Sequence, residues 1–215
     1  MRRPSHRNGF ALPTLMVLLA LTSIATLLAM RNLWVNDQLL NAEADQRRTQ
    51  LKAEAVLPVA LADLLGTTTS HAGETSPDLR HTAGNATQTH AFFPSSMAEY
   101  DALRQRLGAN TCSAGICTPH ALNANATQAS HWKTQTAIAV ALSVADTPYG
   151  DNTAWYWVEV FPQTSATTNT TFVYRITTLA NGVMPGSTTV LQALWQRHTD
   201  TSLTGQWHSW HVLHD

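Results

Sequence analysis

The stretch Arg7–Ser23, RNGFALPTLMVLLALTS, decides how the rest of the chain is read. Arg7 follows Arg2 and Arg3 and stands just ahead of a Gly9–Phe10 step. From Phe10 to Met30 there are 21 residues without a charge. A helix over that run spans roughly 30 Å, about one bilayer core. Arg31 closes the run, and the arginines at its front predict a cytoplasmic N-terminus with the remainder translocated. A secretory signal has a shorter apolar stretch, about 7–15 residues, with a small-x-small site just beyond it. Here the nearest such site, Ala42-Glu43-Ala44, lies far past the end and inside a helical pattern. Residues 10–30 are therefore expected to be retained as a membrane-spanning half-helix.

The helical pattern does not stop at Arg31. Leu33, Leu40, Ala44, Leu51, Ala55, Val59, Ala62 and Leu65 recur at three-, four- and seven-residue steps and predict one inward face. Asp37 and Arg48 interrupt the stripe, and Glu43 with Arg47 makes an i,i+4 pair on the outer side. Pro58 must kink the helix or loosen a turn. Gly66 and the TTTS after it end an amphipathic half at 31–65, leaving 66–215 as a globular domain.

Residues 66–95 hold few apolar side chains and many Gly, Ser, Thr and Pro, the composition of a long surface loop. Ser96-Met97-Ala98-Glu99 reads as a capping box opening a short helix, with Met97, Tyr100, Leu103 and Leu107 inward and Gly108 as its stop. From Thr136 the period changes to two. Strands are predicted at Thr136–Val144, Ala154–Phe161, Thr171–Thr178, Thr188–Trp195 and Gln206–Leu213. The intervals between them are short and turn-rich, including Asn181-Gly182 and Pro185-Gly186. Ile138, Val140, Leu142 and Val144 would line one face of the first strand. An antiparallel meander with one apolar face to bury, covered by the amphipathic half of the long helix, gives an α+β fold.

Composition narrows the function classes. Charged residues are 13% and hydrophobic ones 44% of the chain, with a formal net charge of −1 that becomes −4 without Arg2, Arg3 and Arg7. That balance points away from nucleic acid as a direct partner. Ser, His and Asp occur without a nucleophile elbow, an HExxH pair or a Gly-rich phosphate loop, so neither an enzyme nor a cofactor is predicted.

A basic leader ending in Gly-Phe, an apolar helix starting at once, its amphipathic continuation and a C-terminal antiparallel sheet together resemble the type IV pilin superfamily. GF-ALPTLMVLLALTSIATLLAM matches its class III signal pattern. Three further stretches resemble minor pilins of the PilX family: AMRNLWVNDQLLNAEADQRRTQLKAEAVL in the helix, CSAGICTP as a Cys-x-x-Gly-hydrophobic-Cys-x-Pro loop, and FVYRITTLANGVMPGSTTVLQALWQR as final strands. The resemblance implies a pilin-like fold and a leader at 1–9, cut between Gly9 and Phe10 by a prepilin peptidase that then N-methylates Phe10. After cutting, Pro13 is the fourth helical residue, where its missing amide costs nothing. The implied partners are other minor pilins, the major pilin, a tip adhesin and the inner-membrane assembly platform. The implied location is the inner membrane, with the C-terminal domain periplasmic, and then the pilus; adhesion and twitching motility are the implied roles. A K-type pseudopilin of type II secretion is the nearest alternative. A signal-anchored periplasmic ligand-binding domain is an alternative of another class.

The chain departs from shaft pilins at Thr14. Pilins usually carry Glu at this fifth mature position, where it is thought to pair with the N-terminal ammonium of a neighbouring subunit. A buried charge without a partner is expensive. A subunit with none ahead of it has no amine to meet, so Thr14 points to a tip-proximal, priming place.

The only cysteines are Cys112 and Cys117. Two thiols are too few for zinc, and their spacing is not that of a redox CxxC. In an oxidising periplasm a local disulfide that shapes the loop is expected. Of the ten histidines, His71, His81 and His90 fall in the polar loop, and His208, His211 and His214 are three apart. They are read as surface residues, with no metal site. Trp155, Trp157, Trp195, Trp207 and Trp210 are expected to fill the sheet core or a subunit contact. Asn85, Asn125 and Asn169 begin sequon-like triplets, taken as chance in a Thr-rich chain.

Overall fold

The structure is a computed structural model that describes residues 11–65, 93–94, 96–108, 112–118, 127–142, 154–164, 170–198 and 204–214. The expected leader, Gly9, Phe10, the loop histidines, Asn85, Asn125, Asn169 and Val144 lie outside the described residues. The chain forms two compact units, Met1–Ala44 and Asp45–Asp215. Helix α1 (Ala11–Leu65) begins in the first and continues in the second. Within the first unit the described side chains from Leu12 onward are all exposed.

In the second unit α1 meets a sheet that has seven strands among the described residues. They are β1 (Cys112–Ser113), β2 (Ile116–Cys117), β3 (Val140–Leu142), β4 (Ala154–Thr164), β5 (Thr170–Asn181), β6 (Thr188–Arg197) and β7 (Gly205–Leu213). β4 to β7 form the expected antiparallel meander. The outer side of β4 is divided. β3 pairs antiparallel with its first three residues, and β2 runs parallel beside Val158 and Glu159. The β1–β2 hairpin was not expected, because strands of two residues carry no periodic signal. The strand expected from Thr136 is shortened: Thr136–Ile138 is a 3-10 turn, so Ile138 does not share the face of Val140 and Leu142.

The helical face needs correction. In the second unit the buried positions of α1 are Asp45, Thr49, Lys52, Ala53, Val56, Ala60, Asp63 and Leu64. Leu51, placed inward by sequence, is 51% exposed, whereas Val59 and Leu65 only flank the core. The apolar count rotated the face because it left out four polar residues that the sheet satisfies. Helix α2 (Met97–Leu107) forms where expected, with Ser96 Oγ accepting the Glu99 amide at 3.3 Å. Tyr100, Leu103 and Leu107 are buried, but Met97 is exposed. Phe93 and Pro94, at the tail of the presumed surface loop, are buried as well. Tyr174 donates its hydroxyl to the Pro94 carbonyl.

Both faces of the sheet are covered, where sequence had suggested one. On the first, Val56, Ala60 and Leu64 join α2 against Tyr156, Val158, Ile176 and Trp195. On the second, Trp132 of the short α3 (Ala129–Lys133) packs on Trp157, with ring centroids 5.0 Å apart, beside Leu179, Val190 and Leu213. Trp132→Ala should therefore destabilise the domain by about 3–5 kcal/mol. Urea unfolding followed by far-UV circular dichroism measures it.

Candidate assembly surface and its supports

Up to Leu40 the first unit exposes a nearly unbroken set of large apolar side chains, among them Leu15, Leu18, Ile24, Leu28, Leu33 and Trp34. Its helix is long and apolar enough to cross a membrane, as judged by length and composition. Three hydroxyls within that run bond to their own helix backbone. Thr22 and Ser23 donate to the Leu19 carbonyl at 3.0 and 2.7 Å, and Thr26 to that of Thr22 at 2.7 Å. Such bonds satisfy hydroxyls where water is scarce. Thr14 lies near the start of α1 with an exposed side chain.

From Asp45 onward the helix carries a polar seam that meets the β5–β6 turn. Asp45 Oδ1 accepts the Val183 amide at 3.1 Å, and Oδ2 accepts that of Met184 at 3.0 Å. One turn on, the Thr49 hydroxyl donates to the Asp45 carbonyl at 2.7 Å and lies 3.3 Å from Ser187 Oγ. Lys52 Nζ reaches the Asn181 carbonyl at 3.4 Å. Further along, Thr178 donates to the Ala53 carbonyl at 3.0 Å, and Tyr156 to Asp63 Oδ2 at 2.8 Å. Gly182 is required for space: a Cβ there would fall 2.5 Å from Asp45 Oδ2 and from Ser187 Oγ. Gly186 is required for conformation, with φ of 86°. Sequence reasoning found this turn through its glycines but missed the carboxylate that holds it.

The amides of Met184 and then Val183 hold the Asp45 carboxyl below its ordinary range, against the opposing pull of burial. A carboxyl with a lowered folded pKa adds stability above its unfolded value. That contribution disappears as pH falls through the folded value.

The two cysteines occupy partner positions on β1 and β2 and are joined in a disulfide, with Cα atoms 4.2 Å apart. The turn between them places Ala114 at φ 48° and Gly115 at φ 75°. Gly115 binds the sheet through its own backbone, donating to Ile138 at 2.7 Å and accepting from Val158 at 2.6 Å. A Cβ there would sit 2.7 Å from Val140 Cγ2. The bridge thus fixes a glycine that sutures β2 and the segment before β3 to β4.

Beside Cys117, Glu159 is fully buried and takes a two-pronged contact from Arg175, which also lies over the Phe161 ring. Burial pushes the Glu159 carboxyl up, and the Arg175 hydrogen bonds and charge pull it back. The residues sit opposite one another on β4 and β5. Nothing in their local sequence announced the pair. Among the described residues no three metal-capable side chains converge. His208 Nε2 lies 2.8 Å from Gln196 Oε1.

A long N-terminal apolar helix followed by an antiparallel-dominated sheet is the α+β arrangement of a pilin-like protein. Residues 113–197 match the family model described as type IV pilus assembly protein PilX, C-terminal, and that match is consistent with a PilX-family minor pilin. It runs from the disulfide hairpin to the end of β6. No curated protein and no solved structure matches the chain.

Two substitutions test the supports. Asp45→Asn should cost about 1–3 kcal/mol at neutral pH, since one turn amide loses its acceptor. The gap from wild type should close below about pH 4. Arg175→Met leaves a buried carboxylate alone and should cost about 3–5 kcal/mol near pH 7, with part regained in mild acid as Glu159 takes up a proton. Thermal melts across pH measure both.

Proposed function

We propose that this protein is a minor pilin that helps initiate type IV pilus assembly and sits at or near the pilus tip, supporting adhesion and twitching motility. The observation that carries the reading is the family match over the sheet, in a chain whose α1 leaves a membrane-length apolar surface exposed. Prepilin peptidase removes residues 1–9 and methylates the amine of Phe10. The helix then waits in the inner membrane with the sheet domain in the periplasm. Assembly moves its apolar side chains from lipid into a bundle of like helices, where close packing and the hydroxyls of Thr22, Ser23 and Thr26 decide the fit.

Thr14 places the subunit within that bundle. An acidic side chain there needs a neighbouring ammonium to offset its desolvation, and a threonine needs none. A chain with Thr14 can therefore stand first, with other minor pilins and the major pilin following and an adhesin carried above. The pilus-assembly family supports this reading over a secretion pseudopilin.

N-terminal sequencing of the membrane-derived protein should begin at methyl-Phe10, and deleting the gene should reduce surface pili. An intact Met1 in cells with active prepilin peptidase would sink the pilin reading. Labelled wild-type subunits should sit at pilus ends, and Thr14→Glu should weaken priming. Wild-type label spread along the shaft counts against the tip position.

A further inference from the structure

We propose that the outer edge of β7 is a strand-docking site, filled in the assembled pilus by an extended, uncharged segment of a neighbouring pilus subunit; this rests on the pilus reading above. β7 is the last strand of the sheet and pairs with β6 alone among the described strands. Among the described residues nothing pairs with its other side, whose main-chain donors and acceptors have another strand as their natural complement. Proteins usually protect such an edge by keeping it short or by placing Lys or Pro on it. The opposite border of this sheet is made that way, from β1, β2 and β3 of two, two and three residues. β7 is nine residues long, and its sequence GQWHSWHVL has no Lys, Arg, Asp, Glu or Pro.

The side chains point to the same use. Trp207 and Trp210 are three residues apart, a spacing that puts them on opposite faces of a regular strand. A bulge opposite Leu194 and Trp195 changes the count, so Trp210 pairs with Ala193 and Trp207 with Trp195. Both indoles therefore stand on the face that carries Ala193 and Trp195, and they are 56% and 40% exposed. A bulge can serve to spoil an edge, but this one aligns two large apolar groups beside it.

Charge and area select the occupant. β7 carries no Lys, Arg, Asp or Glu, so a segment without those residues and with apolar ones at alternate positions complements it, whereas a charged one would strand ions against indoles. The exposed parts of the two tryptophans amount to about one aromatic side chain, roughly 150–250 Å². A free-standing interface needs about 800 Å² on each partner. The edge is too small to recruit a soluble protein, yet sufficient for a chain already held alongside by other contacts. Subunits bundled through their N-terminal helices meet that condition. β7 lies beyond residues 113–197, so the family match assigns it no role.

Amide hydrogen exchange of the full chain, alone in detergent and co-assembled with the pilins of its own cell, tests the proposal. In the assembly, exchange along β7 should slow by about tenfold or more, while β5 and β6, paired on both sides, stay unchanged. A photo-crosslinker replacing Gln206 should couple to an extended segment of another pilin. Trp210→Lys should return β7 exchange to the level of the isolated chain while the chain remains in the assembly; if that variant fails to fold, the wild-type comparison still decides. Unchanged β7 exchange in a co-assembled chain overturns the docking site and leaves the pilus reading standing. Crosslinks only to a second copy, a glycan or lipid do the same, as does protection that survives Trp210→Lys. A chain that never co-assembles overturns the pilus reading and this proposal together.

Discussion

The hydrogen bonds from the Val183 and Met184 amides to the Asp45 carboxylate set the rotation of α1 on the sheet. With Asp45 and Thr49 turned to the β5–β6 turn, helical periodicity carries Ala53, Val56, Ala60 and Leu64 to the strands. Ala53 and Ala60 are small enough to bring the helix backbone close, and Thr178 reaches the Ala53 carbonyl directly. Rotating the helix by one position would bury Leu51 but strand a carboxylate and two turn amides without partners. Leaving buried polar groups unpaired costs more than burying one leucine would gain, so the polar seam wins.

That arrangement leaves the far side of the sheet needing its own cover, which a second set of contacts provides. Trp132 on Trp157 supplies apolar burial, and the buried Glu159 is paired with a half-buried Arg175. The Cys112–Cys117 hairpin closes the border of β4 between them. The disulfide holds Ala114 and Gly115 in a tight turn whose main chain bonds to both Ile138 and Val158. The Cys-x-x-Gly spacing is thus a device for finishing a sheet edge, and it contributes more through geometry than through loop entropy in so short a ring.

The two borders of the sheet consequently differ in kind. Among the described residues, one is capped by short strands and a covalent bridge, and the other ends on a long strand without Lys, Arg, Asp or Glu and with exposed indoles. In the proposed pilus, a subunit held to its neighbours through a helix has reason to keep one border closed and leave the other for a partner strand. There the N-terminal helix would supply association without direction, since apolar packing distinguishes poorly among similar neighbours. A main-chain ladder adds register, because strand pairing fixes which residues face which.

Much of the architecture was legible in residues alone. The uncharged run after Gly9-Phe10, the continuation of helical spacing to Leu65 and the period-two meander from Ala154 each follow from local rules of spacing and charge. The Ser96 cap and the Asn181–Ser187 turn follow from the chemistry of single residues. What stayed hidden depended on partners distant in sequence. Asp45 and Asp63 look like outward-facing residues until turn amides and the Tyr156 hydroxyl arrive to bind them. Trp207 and Trp210 fall on opposite faces by counting, and only the bulge against β6 brings them together. Sequence by itself determined the membrane-length helix and the order of elements, because those are set by near neighbours and by transfer from water. Tertiary structure alone decided which helix face is buried and which strands end the described sheet, because a polar group's cost depends on whether something remote can hydrogen-bond to it.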